Sequence, residues 1–187
     1  MTDSLKPGEA FIYMKVGIHA NESLKDIIKR KRAEVEDAGV SFWGYGGNSC
    51  HPLTAVQPFV KEETEKGVRV RLLMQEIVSR HYAQGLASEY SVDGKHYERV
   101  PKGVKVVGSR FALVLKNLDE VEIAVALAQT RVGIGRCIGR TGADYIRGHL
   151  DKACLIYDPG AGPADRGTSV KLALAAELAS PYAVILR

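Results

Sequence analysis

Apolar and polar positions along this chain alternate in two rhythms, one of period two and one near 3.6. The run 10–18 carries Phe11, Tyr13 and Val16 and reads as a β-strand. Ser23 and Asp26 then have the spacing of a capping box, Leu24, Ile27, Ile28 and Val35 recur at helical intervals, and Gly39 supplies a stop. A helix is predicted between these caps. Its basic residues, Lys25, Lys29, Arg30, Lys31 and Arg32, lie mostly off the apolar stripe, so its charged face is expected to look outward. In 40–46, Val40 and Phe42 point one way and Trp43 and Tyr45 the other, as in a strand. The stretch 48–67 reads as a long loop. Val68, Val70, Leu72 and Met74 alternate with Arg69, Arg71 and Gln75 in a further strand.

Asp93-Gly94, between Tyr90 and Tyr97, predicts a hairpin with a two-residue turn. The run 104–115 is an apolar strand kinked at Gly108, and Asp119 with Glu122 opens a helix through Val121, Ala124, Val125 and Ala128. Further expectations are a strand at 131–134, a helix at 143–153, a strand at 154–157 and a loop at 158–168. A helix at 170–179, ended by Ser180-Pro181, and a strand at 182–186 follow. Such an order lacks strict strand-helix alternation. It predicts a single α+β domain over 1–187, with a mixed or open-barrel-like β-sheet flanked by helices and a flexible N-terminus at 1–8.

With 45% hydrophobic and 26% charged residues among 187, the chain is of globular composition, which excludes disorder, collagen-like repeats and a coiled coil throughout. No apolar run approaches 18 residues, and the first residues lack the basic-then-apolar order of a secretory signal. A cytoplasmic protein with no membrane partner is expected. Lys and Arg number 26 against 22 Asp and Glu, a net +4, with basic residues gathered at 25–32 and 130–152. Glu62, Glu63 and Glu65 read as a solvated acidic loop. Cys50, Cys137 and Cys154 form no Cys-x-x-Cys pair, which suggests reduced thiols. A zinc set of Cys137, His149 and Cys154 fails on spacing, because His149 and Cys154 would not share a helical face. No metal and no cofactor is expected.

Chemistry concentrates in three places. In 133–145, Gly135, Gly139 and Gly142 allow close backbone approach, Arg136 and Arg140 offer bidentate charge, and Thr141 with Asp144 caps a helix whose first amides favour an anion. Neither a dinucleotide fingerprint nor a Gly-Lys-Ser/Thr loop is present. The five residues Ile138-Gly139-Arg140-Thr141-Gly142 resemble the Gly-x-x-Gly loop with which KH domains clamp a nucleic-acid backbone, and that likeness implies phosphate contact. The bland alternative is a tight glycine turn with solvated arginines. Trp43 and Tyr45, separated and followed by glycines, form the second place, a shelf on which a base could stack; otherwise Trp43 is a core anchor. Open barrels of the PUA-like class offer an architectural analogy for such a pocket.

The third place would make Cys50 a nucleophile, with His51, His81 or His96 as base and Asp93 as orienter. Taken together, the residues point to binding of a phosphate-bearing ligand, a nucleotide or a nucleic acid. Trp43 and Tyr45 take the flat part, and Gly135, Arg136, Gly139, Arg140, Thr141 and Gly142 take the phosphate. The alternatives are a small transferase or hydrolase acting on a nucleotide or modified base through Cys50, His51 and His81, and a structural or inhibitory protein-interaction module.

Overall fold

The computed structural model describes residues 4–147, 150–164 and 169–187, and the architecture is α+β. Strand β1 (Ala10–His19) leads into helix α1 (Leu24–Ala38), strand β2 (Ser41–Tyr45), a π-helical turn (Pro52–Val56) and helix α2 (Gln57–Glu65). Six strands follow: β3 (Arg71–His81), β4 (Glu89–Ser91), β5 (Glu98–Arg99), β6 (Phe111–Leu115), β7 (Asp119–Ala126) and β8 (Thr130–Val132). The one-turn helix α3 (Gly142–Tyr145), β9 (Lys152–Tyr157) and β10 (Ser169–Leu186) complete the order. Strand neighbours run β2-β6-β10-β3-β1-β9-β8, with β7 and β4 on β10 and β5 on β4. The ladder is mixed. β1 and β9 pair antiparallel, whereas Glu9 meets Arg71 and Tyr13 meets Gln75, partners that advance together along β1 and β3.

Contacts divide the chain into two compact units: 1–15, 58–76 and 119–175 in the first, 16–57, 77–118 and 176–187 in the second. The first unit is built on Phe11, Tyr13, Leu73, Ile123, Leu155 and Leu172, with Leu5 and Tyr157 packed against that cluster. Burial pushes the Tyr13 phenol up to about 12, with the charge of Asp151 adding to the effect. The second unit has a core around Phe42, Val106, Ala112, Val114 and Val184.

Helix α1 forms where its caps predict. Ser23 Oγ accepts from the Asp26 amide, and Gly39, at φ 80°, donates its N–H to the Val35 carbonyl. The outward charged face expected for it holds for Lys25 and Lys29, which are exposed, and is corrected for Lys31. Lys31 and Glu34 are buried, Lys31 Nζ donating to Glu34 Oε2 (3.0 Å) and to the Lys105 carbonyl (2.7 Å). Arg30, Ser41 Oγ and the Lys105 amide complete the donors to Glu34, and Arg30 also pairs with Glu22. Burial pushes the Lys31 ammonium down to about 8 against the pull of Glu34.

Five other expectations are corrected. The loop at 48–67 is mostly helical: Val56 N–H reaches back five residues to the His51 carbonyl, and Val56, Phe59, Val60 and Glu63 turn inward at helical spacing. Glu63 is buried and paired with Lys66, so the acidic run is not wholly solvated. The helix expected after Asp119 is β7, because Ile123 and Val125 are buried between exposed Glu122 and Ala124, a period of two. The helix expected at 170–179 is the first half of β10. Val170, Leu172 and Leu174 point inward along it, residues 169–175 pair with β7, and the strand continues past Pro181 after a shift of register. The helix at 143–153 shrinks to α3, with β9 starting at Lys152 and residues 148–149 outside the described set.

The predicted hairpin is present as β4 and β5, with Glu89 opposite Arg99 and Tyr90 opposite Glu98, but its connection is wider than two residues. Removing one partner from a buried charged cluster leaves the other charges uncompensated. Glu34→Gln is therefore expected to lower unfolding free energy by about 3–5 kcal/mol, against less than about 1 kcal/mol for Glu62→Gln at the exposed Lys66 pair. Urea denaturation of both variants checks the contrast.

Candidate functional site

The glycine and arginine bend emerges from the end of β8 in the first unit. It closes as a loop: Gly139 N–H donates to the Val132 carbonyl (2.9 Å) and Val132 N–H to the Arg140 carbonyl (2.8 Å). Gly135 and Gly139 hold φ of 87° and 86°, and a side chain at either would meet only open space. Arg131 props the loop from beneath, with Nε 2.5 Å from Asp158 Oδ2 and Nη1 donating to the Gly139 carbonyl (3.0 Å). The Arg131 guanidinium in turn holds the Asp158 carboxyl below its ordinary value.

Five residues of the bend are exposed, Gly135 and Arg136 before Cys137 and Ile138, Gly139 and Arg140 after it, so its tip faces solvent. Arg140 Nη1 has only a long contact to Cys137 Sγ (3.9 Å), and among the described residues neither Arg136 nor Arg140 has a carboxylate partner. Their neighbours differ. Arg131 is tied to Asp158, and Arg147 Nη2 lies 3.0 Å from Asp144 Oδ1.

The helix behind the bend does less than its sequence suggests. α3 is a single turn, and Thr141 Oγ1 both accepts from the Asp144 amide and donates to the Asp144 carboxylate. A carboxylate thus already sits where an anion was expected. Gly142 is buried with a packing role: an added Cβ would lie 2.1 Å from Thr130 Oγ1. Thr141 is thus engaged in capping and Gly142 in packing, while Gly135, Arg136, Gly139 and Arg140 lie at the surface.

Trp43 and Tyr45 lie in the second unit, and the stacking shelf expected of them is corrected. Each retains only 6% of its exposure. Trp43 pairs with Leu113 across β2 and β6, while Tyr45 packs on Phe111 and its hydroxyl donates to the Cys50 carbonyl (2.6 Å). Sequence alternation assigned them to one face correctly; it could not reveal that this face is covered.

Cys50 is buried and adopts φ 57°, unusual for a residue with a side chain. His51 lends Nδ1 to the Leu53 amide (3.2 Å) at the start of the π-helical turn, and its ring meets Phe111 edge-on. That acceptor role places the proton of the neutral ring on Nε2. His81 stacks at 5.2 Å on His19, whose Nε2 lies 2.7 Å from the Val107 carbonyl. Each of the three expected members is occupied by a different neighbour.

Asp93 and His96 are brought together, with Nδ1 2.6 Å from Oδ2. The amides of His96 and Lys95 and the His96 ring hold the Asp93 carboxyl well below the carboxylate range, and Asp93 raises the imidazole. Ser91 Oγ donates to Asp93 as well, so the carboxylate organises the turn. Among the described residues no three His, Cys, Asp or Glu converge as a metal site, and His149 lies outside those residues. No described helix is long and apolar enough to cross a membrane.

Sequence reasoning missed a shallow groove in the second unit beside Tyr82 and Arg110. Its signal is weak, an aromatic and a leucine in the polar stretch after β3, and it emerges only when their exposure is known. Comparison with protein-family models, curated proteins and solved structures returned no match to this chain.

Trp43→Ala is expected to cost about 3–5 kcal/mol of stability, read by urea denaturation, as befits a core ring. The His96 imidazole is expected to titrate above the ordinary value of about 6.5 by NMR, and to return to it in Asp93→Asn. Because the folded value is raised, the stabilisation is full below the unfolded value and fades as pH rises through the folded one.

Proposed function

We propose that the bend from Gly133 to Thr141 binds a phosphate-bearing polyanion, the backbone of a nucleic acid, through Arg136 and Arg140. One observation carries the reading: Arg131 and Arg147, which flank the bend, are bound to carboxylates, whereas Arg136 and Arg140 on it are exposed and have no carboxylate partner among the described residues. A guanidinium presents a planar fork of donors that matches two phosphate oxygens, and it holds its charge at any physiological pH. Gly135 and Gly139 keep the neighbouring surface free of side chains, so a backbone can come close. With Trp43 and Tyr45 enclosed, recognition at the bend rests on phosphate, and sequence-independent contact follows.

This reading is supported over thiol chemistry by the occupied state of the Cys50 neighbourhood, where the histidine expected to act as base caps a helical turn instead. The test is salt-dependent affinity for a short duplex or single strand. Replacing Arg136 and Arg140 together by Ala is expected to weaken binding at low salt by at least about tenfold and to make the log–log salt slope shallower by roughly two, one for each phosphate contact. Unchanged affinity and slope in the double variant contradict the proposal.

A further inference from the structure

We propose that the groove beside Tyr82 and Arg110 takes a nucleotide, with its base on the Tyr82 ring and its phosphate on the Arg110 guanidinium. This site stands on residues of the second unit and does not depend on the bend, although the ligand class is shared. The groove is open to solvent, has a volume of about 340 Å³, at the small end of the range for ligand sites, and lies between the stretch from Tyr82 to Ala87 and the stretch from Gly108 to Arg110.

Its walls are fixed to each other by the backbone. Gly108 N–H donates to the Gly85 carbonyl (2.7 Å), Ala87 N–H to the Val106 carbonyl (2.9 Å), and Leu86 and Val107 form a bridge. At Gly108 the approach is so close that an added Cβ would stand 2.1 Å from the Ala83 Cβ, and φ there is 61°. Glycine at this position is what lets the two walls meet. The concavity is therefore part of the fold and needs no ligand to form it.

The lining carries two complementary chemistries. Tyr82 is 73% exposed and Leu86 63%, and among the described residues the Tyr82 hydroxyl has no hydrogen-bond partner. An aromatic face so open is suited to stacking with a planar ring. Arg110 is exposed, lies over the Phe111 ring at 5.1 Å, and among the described residues has no carboxylate partner. Arg187, which also lines the groove, is committed elsewhere: its Nε lies 2.6 Å from Glu89 Oε2, and its guanidinium lies 3.7 Å from the centre of the Tyr97 ring. The charge left to recruit an anion is thus that of Arg110, one open cation beside one open aromatic ring. That pairing matches the base and phosphate of a nucleotide, whether free or at the end of a strand.

Isothermal titration of the full chain with adenosine and uridine 5′-monophosphates, and separately with a 5′-phosphorylated trinucleotide, tests the assignment. Tyr82→Ala and Arg110→Ala are each expected to weaken binding by about tenfold, the equivalent of about 1.4 kcal/mol, which falls in the range for one stacked base. Tyr82→Phe is expected to retain it, because the ring face carries the contact. Binding of mononucleotides identifies a free nucleotide as the occupant, and trinucleotide binding alone with the same sensitivity identifies a strand terminus. The Arg136→Ala/Arg140→Ala protein is expected to bind mononucleotide as the wild type does, so failure of the bend and failure of the groove are told apart. No heat from either ligand at millimolar concentration, or wild-type affinity in both Tyr82→Ala and Arg110→Ala with urea midpoints unchanged, overturns the proposal.

Discussion

Glu34 keeps its carboxylate inside the second unit because Lys31, Arg30, Ser41 and the Lys105 amide all reach it. A charge in that position without such partners would cost more than the surrounding packing returns. The same requirement is met wherever a polar group is buried: among the described residues no buried side-chain nitrogen or oxygen lacks a partner. Pairing of this kind decides how a strongly basic helix can also be a structural one. It fastens α1 to the start of β2 and to the segment before β6, the two stretches that carry the aromatic core and one wall of the groove.

Against that background the exposed arginines acquire meaning. Arg131 is spent in holding up the bend, and Arg147 answers Asp144, yet Arg136 and Arg140 are carried out into solvent on the loop that Arg131 supports. Arg110 occupies a comparable position in the second unit, resting on an aromatic ring with its charge still available. Exposed arginines are common on any protein surface. What sets these apart is the local architecture: a loop kept bare by positive-φ glycines in one case, and a preformed concavity with an open tyrosine in the other. Each supplies shape as well as charge.

Much of the fold is legible in the chain where local chemistry and global packing agree. Ser23 and Gly39 bracket α1 because cap geometry is determined by near neighbours. β7 and β10 are harder to read because Ala, Leu, Glu and Lys favour helix while the burial they achieve has a period of two; pairing between these strands overrides the propensity. The bend is legible as a glycine-rich turn of arginines, but the spending of Arg131 and Arg147 is not, since Asp158 lies 27 residues from its partner. Trp43 failed as a shelf for a related reason. Whether an alternating strand has one wet face or two dry ones depends on distant segments, here Phe111 and Leu113 on β6. Tyr82 and Arg110 are invisible as a pair until Gly108 brings their segments into contact.

The distinction between committed and available guanidiniums can be observed directly by NMR, following arginine Nε–Hε and bend amide resonances while a short duplex is added at low salt. The account predicts shifts at Arg136 and Arg140 and in the amides of Gly135 and Gly139, with the Arg131 and Arg147 side chains unmoved. Shifts centred on Arg131 or Arg147, or a bend that stays silent at saturating duplex, would contradict it.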